Sequence, residues 1–214
     1  MLFMARKRKT AAPEGADPAL LVSLDSALTL FRAEPSVSLA QIGQAAQLDP
    51  GQTAAFLGQY SSPADWLAVR LQSADPTAEF ESALLAVQGD DAAEQFRDAM
   101  RRMIALTSRH RAYFELALIE AESYQGGTLS ALSGRLLPAA HTLLQQIKAG
   151  DELRPLPDWL IARAMLAMLI GFIASERAMP ASAQFAARLM PQRLWIDSLT
   201  DILLYGLIED DARR

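Results

Sequence analysis

The chain contains no cysteine. That excludes disulfides, thiol nucleophiles and most structural zinc sites, and it fits a reducing, cytoplasmic setting. Histidine is scarce too, with only His110 and His141 present. No HExxH pair, phosphate-binding loop, nucleotide-binding glycine motif or nucleophile elbow occurs, so neither an enzyme nor a metal or cofactor site is expected. Runs of Val, Ile, Thr and aromatics are missing, so strands are not expected. The most apolar segment, 160–174, is shorter than a membrane span and carries Arg163; it reads as a buried helix of a soluble protein that meets no membrane. The N-terminal MLFMARKRKT has a basic run without an apolar run behind it, unlike a signal peptide.

What remains is a helix-forming chain of 214 residues, 51% of them apolar, in which Leu and Ala dominate. The expected fold class is all-α. The formal net charge is −5, yet positive charge is concentrated in Arg6, Lys7, Arg8 and Lys9. This cluster is either a solvated tail or an arm that touches a DNA backbone or minor groove. Residues 1–17 carry turn chemistry and no apolar period, so they read as a disordered basic arm.

Asp17-Pro18 reads as a helix start, with Leu20, Leu24, Ala27, Leu28 and Phe31 at helical spacing up to Glu34-Pro35. Ser38 opens a short helix with Leu39, Ile42, Ala45 and Ala46 inside. Gln47-Leu48-Asp49 forms a turn, and Asp49-Pro50 caps a third helix offering Ala54, Phe56, Leu57 and Tyr60 for packing. Ser61-Ser62-Pro63 opens a fourth helix, which Asp75-Pro76 ends. Longer helices are expected over 77–87, 92–108, 112–123, 129–149, 157–175 and 191–208, with Pro138 as a kink and Gly150 as a C-cap.

Several short motifs stand in order along the chain. ALTLF (27–31), LAQIGQAAQL (39–48) and YSSPADWL (60–67) resemble the first-helix ending, the second helix with its turn, and the junction into the fourth helix of TetR-family bacterial transcriptional regulators. AGDELRP (149–155) and ILLYGL (202–207) resemble that family's G-E-L-R turn and closing L-L-x-G-L. The resemblance implies three parts: the arm 1–17, a helix-turn-helix DNA-binding domain over 18–74, and a C-terminal helical ligand-binding and dimerisation domain over 75–214. It further implies a dimeric regulator that binds double-stranded DNA and answers to a small ligand.

The reading head departs from that pattern. Gln47 stands where the family has a glycine, Leu57 and Tyr60 stand for its Tyr and Phe, and Pro63 stands for a phosphate-touching Lys. No cation occurs between Arg32 and Arg70, against Glu34, Asp49 and Asp65. Candidate DNA contacts are therefore the arm, Arg6 to Lys9, together with Ser38, Gln52, Thr53, Gln59, Tyr60 and Ser62. Two readings stay open: a ligand-responsive DNA-binding regulator, or a TetR-like scaffold that has lost operator binding and acts through a protein partner or ligand.

A pocket for an apolar ligand is expected from Phe96, Met100, Met103, Ile104, Tyr113, Phe114, Ala117, Met165, Met168 and Phe172, with Tyr113 and His141 for orientation. Plain core is the competing reading of the same stripes. The last two long helices are apolar on more than one side. A homodimer is expected to cover Leu160, Ala164, Ala167 and Gly171 on one, and Trp195, Leu199, Ile202, Leu203 and Gly206 on the other.

Overall fold

The computed structural model describes residues 22–34, 36–148, 156–178 and 192–207, and among these every regular element is a helix. The chain divides into two compact units, residues 1–73 and 74–214.

The first unit holds α1 (Leu24–Ala33), α2 (Leu39–Ala45), α3 (Pro50–Gln59) and α4 (Pro63–Ser73). Each start has a local chemical cause. Ser23, in extended conformation, accepts from the Ser26 amide and fixes the beginning of α1. The expected single helix from Asp17-Pro18 therefore does not form, because Ser23 interrupts it; Asp17 and Pro18 themselves lie outside the described residues. At α2 the Ser38 hydroxyl takes the Gln41 amide while the Gln41 side chain takes the Ser38 amide. At α3 Asp49 and Gln52 make the same reciprocal box, with Pro50 in the first turn. Ser62 Oγ accepts from the Asp65 amide, and Asp65 accepts from the Ser61 amide, at the entry to α4.

The turn between α2 and α3 closes with a paired bond pattern. The Leu48 amide reaches the Gly43 carbonyl at 3.2 Å, and the Gln47 amide reaches the Gln44 carbonyl at 2.9 Å. Gln47 takes the left-handed conformation this requires, with φ 54°. The core of the unit is aromatic. Trp66 and Phe56 are fully buried, Phe31 stacks on Trp66 at 6.3 Å, and Tyr60 packs on Phe56 at 5.3 Å. Ile42, Leu67 and Leu71 fill the remainder. Each large apolar side chain so buried is worth roughly 1.5–3 kcal/mol. Ala54 and Leu57, expected to pack, lie on the exposed side of α3; Phe56 and Tyr60 alone turn inward.

The second unit holds α5 (Thr77–Leu85), α6 (Ala92–Arg109), α7 (Arg111–Tyr124), α8 (Thr128–Lys148), α9 (Asp158–Ala178) and α10 (Gln192–Leu207). α6 lies at the middle, packed against α5, α7, α8, α9 and α10. Its inner stripe of Phe96, Met100, Met103 and Ile104 is buried, as are Phe80 on α5 and Tyr113, Phe114 and Leu116 on α7. α10 is held to α6 by Arg97–Asp201 at 3.0 Å and Arg101–Asp197 at 2.8 Å, with Thr200 and Leu204 buried between. The bond to Asp197 also raises the proton affinity of the Arg101 guanidinium.

In the α7–α8 loop a side chain at position 126 would force Glu120 to move. A Cβ at Gly126 would stand 2.2 Å from the buried Glu120 carboxyl group, whose other oxygen accepts from the Thr128 amide. Pro138 lies inside α8 and the helix continues through it. Gly150 lies outside the described residues. α9 departs from expectation: over Asp158–Ser175 it is long and apolar enough to cross a membrane by length and composition, and only 33% of that segment is buried. It is a helix with one buried side, not a fully enclosed one.

Candidate functional site

Two regions bring together the residues singled out by sequence. The first is the outer surface of α2 and α3. Of the expected DNA contacts here, most are committed elsewhere. Ser38 Oγ donates to Gln41 Oε1 at 2.7 Å as part of the α2 cap. Gln52 Oε1 accepts from the Asp49 amide at 3.1 Å, so the bidentate pose needed for adenine would cost that cap. Ser62 is engaged at the α4 start. Tyr60 is 5% exposed and its ring belongs to the core. Thr53 is half-buried, and Gln59 is exposed at the end of α3. Arg6, Lys7, Arg8 and Lys9 lie outside the described residues.

Electrostatics sharpen this picture. Residues 22–73 carry Arg32 and Arg70 against Asp25, Glu34, Asp49 and Asp65. Arg70 is turned inward, donating to the Val22 carbonyl at 3.0 Å and to Ser73 Oγ at 3.0 Å, and burial lowers its hold on its proton. Gln41 Nε2 is hydrogen-bonded to Glu34, which keeps a carboxylate beside the start of α2. The exposed face of α3 is Gly51, Ala54, Ala55, Leu57, Gly58 and Gln59: small, uncharged and partly apolar.

The second region is a cleft of about 580 Å³ in the C-terminal unit. Its floor is Leu84 from α5 and Met103 from α6; one wall is Ser130, Ser133, Leu136, Leu137 and Ala140 of α8; the other is Trp159, Ala162, Arg163, Met165, Leu166 and Leu169 of α9. The volume and lining suit a small organic molecule. Of the expected pocket residues, Met103 and Met165 line this cleft. Phe96, Met100, Ile104, Tyr113, Phe114, Ala117 and Phe172 are buried core instead, and Met168 is half-buried elsewhere on α9.

His141 is not in an apolar pocket: its side chain is 61% exposed and its Nδ1 stands 2.9 Å from Asp158. His110 is half-buried between α6 and α7, with Nε2 3.1 Å from Glu79. Tyr113 is 1% exposed and its hydroxyl has no hydrogen-bond partner among the described residues; burial, chiefly, pushes its pKa up to about 12. Among the described residues no cluster of His, Asp and Glu is placed to hold a metal.

Sequence reading missed Trp159 and Arg163 as cleft residues. The signal was present, since a bulky aromatic and a cation at i and i+4 in a mainly apolar stretch of helix share one face. It also missed the two capping boxes, although S-x-x-Q and D-x-x-Q stand in the sequence.

A small helical unit with a capped helix-turn-helix, followed in the chain by a larger unit of long helices containing an apolar cleft, defines the TetR-type architecture. The chain has this fold. A TetR family transcription regulator from Marinobacter aquaeolei VT8 superposes with a TM-score of 0.58 over 90% of this chain and 97% of its own, at 13% identity. A protein of unknown function from Rhodococcus sp. RHA1 superposes with a TM-score of 0.61 over 93% of this chain and 100% of its own, at 16% identity. No protein-family profile and no curated protein sequence matches the chain.

Proposed function

We propose that this chain is a one-component, ligand-responsive transcriptional regulator of TetR type, acting as a homodimer. The observation that carries the reading is the complete helix-turn-helix: both short helices keep their caps, and Gln47 holds the left-handed turn that a glycine usually supplies. The ligand occupies the α5–α6–α8–α9 cleft. The homodimer forms on the exposed sides of α9 and α10. Leu160, Ala167 and Gly171 are exposed and Ala164 is half-buried along α9; Ile202 is 71% exposed on α10, flanked by the half-buried Leu199 and Leu203. The Trp195 side chain and the surroundings of Gly206 lie outside what is described. DNA is gripped chiefly by Arg6 to Lys9, because α3 presents no cation. The protein does its work by binding, and no reaction is assigned to it.

A second reading is favoured by the same surface. With Ser38, Gln52 and Ser62 spent on caps and Tyr60 buried, the face could have lost operator binding and serve a protein partner. A gel-shift salt titration on DNA from upstream of its own gene separates the two. Each neutralised phosphate contributes about −0.9 to the slope of log K against log salt, so four arm cations give roughly −4 per protomer, lost when residues 1–17 are removed. Absence of any shift at low salt sinks the first reading and leaves the second.

A further inference from the structure

We infer that the cleft of the C-terminal unit takes an apolar monocarboxylic acid, with Arg163 holding the carboxylate at the rim and the hydrocarbon lying between α8 and α9. This rests on the proposal that the cleft is the ligand site, and adds the chemistry of the ligand's head group. Among the described residues that line the cleft, Arg163 is the only ionisable one, and none of them is a carboxylate. It is exposed and has no hydrogen bond or ion pair among the described residues. The other arginines near α6 are neutralised: Arg97, Arg101 and Arg102 pair with Asp201, Asp197 and Asp98. Among the described residues Arg163 is thus an uncompensated positive charge beside an apolar hollow.

Its position gives a ligand a direction. Trp159 stands one turn before Arg163 on the same face of α9, 61% exposed, and Leu137 faces outward from α8 at 48% exposure. An apolar body entering past Trp159 reaches Met103 and Met165 below, and its end remains beside the guanidinium. The planar fork of Arg matches a carboxylate with two parallel hydrogen bonds. A single guanidinium balances one negative charge, which favours a monoacid over a doubly charged phosphate. A neutral ligand would bury its body equally well and gain nothing at the rim; an amine would be repelled.

The test uses the full chain and three matched probes, decanoate, decanol and decylamine, in isothermal titration. Decanoate is expected to bind ~10-fold more tightly than decanol, from one charge-assisted contact. Arg163→Met erases that preference, and Arg163→Glu reverses it in favour of decylamine. Because Arg163 is exposed, neither variant disturbs the core. Equal affinity for decanoate and decanol in the natural chain overturns the inference and leaves the cleft as an apolar site. Ala162→Phe fills the cleft and must weaken both probes. If it does not, or if neither probe binds, the cleft is not the ligand site and both readings fall together.

Discussion

Gln47→Gly tests the turn on which the helix-turn-helix depends. At φ 54° a side chain with a Cβ crowds its own carbonyl, which costs about 1–2 kcal/mol relative to right-handed backbone. Glycine removes that cost but loses more freedom on folding, about 0.5–1 kcal/mol. Gln47 is exposed, so no packing is exchanged. The two bonds that close the turn, from the amides of Gln47 and Leu48, are kept by glycine. The net expectation is stabilisation by about 0.5–1 kcal/mol, or roughly 2–8 °C in the melting of a unit this small. Gln47→Val should move the other way, because a β-branched side chain tolerates this conformation worst. The assay is urea and thermal unfolding followed by fluorescence in a background where Trp159 and Trp195 are replaced by Phe, leaving Trp66, at the centre of the first unit, as reporter. If Gln47→Gly destabilises, or Gln47→Val is without effect, the left-handed turn is not a strained element.

Two further outcomes are expected. Tyr113→Phe should leave stability at neutral pH unchanged or slightly improved, since the hydroxyl it removes is buried without a partner. In the natural chain the raised pKa keeps the folded phenol protonated while the unfolded one ionises. Tyr113 therefore contributes stability that is complete below pH 10 and is lost as pH rises towards about 12, a loss of order 2–3 kcal/mol that Tyr113→Phe should abolish in alkaline unfolding curves. Ile202→Arg, at an exposed position on α10, should convert a dimer to monomers by light scattering without altering helix content; an unchanged dimer mass would place the interface elsewhere.

Much of this fold was legible because its punctuation is local. Ser38, Asp49-Pro50 and Ser61-Ser62-Pro63 cap helices using atoms three residues away, so spacing alone reveals them. The start of α1 was misplaced because two cap signals compete, and Ser23 takes the extended conformation. Ala54 and Leu57 were misjudged because an Ala-rich helix has a weak apolar period, leaving the choice of inner face to Phe56 and Tyr60. The candidate sites were less legible for a different reason. Hydroxyls and amides that suit a phosphate suit a helix cap equally, and only geometry shows that Ser38, Gln52 and Ser62 have been used. Which apolar residues line the cleft depends on how the helices pack, so Phe96 and Met100, with the same apolar spacing, fall into the core instead.

The paired charges between α6 and α10 fix the rotational setting of the last helix like a key in a slot. Asp197, Thr200, Asp201 and Leu204 occupy one angular sector, and all four are engaged at once. Each residue advances the helix by about 100°, so turning Ile202 inward would detach both aspartates and lift Thr200 and Leu204 out of contact. The oily strip at Leu199, Ile202 and Leu203 is consequently an oriented surface, held outward by its own back side. Raising the salt concentration weakens the key before it weakens the strip, because exposed ion pairs are screened and apolar contacts are not.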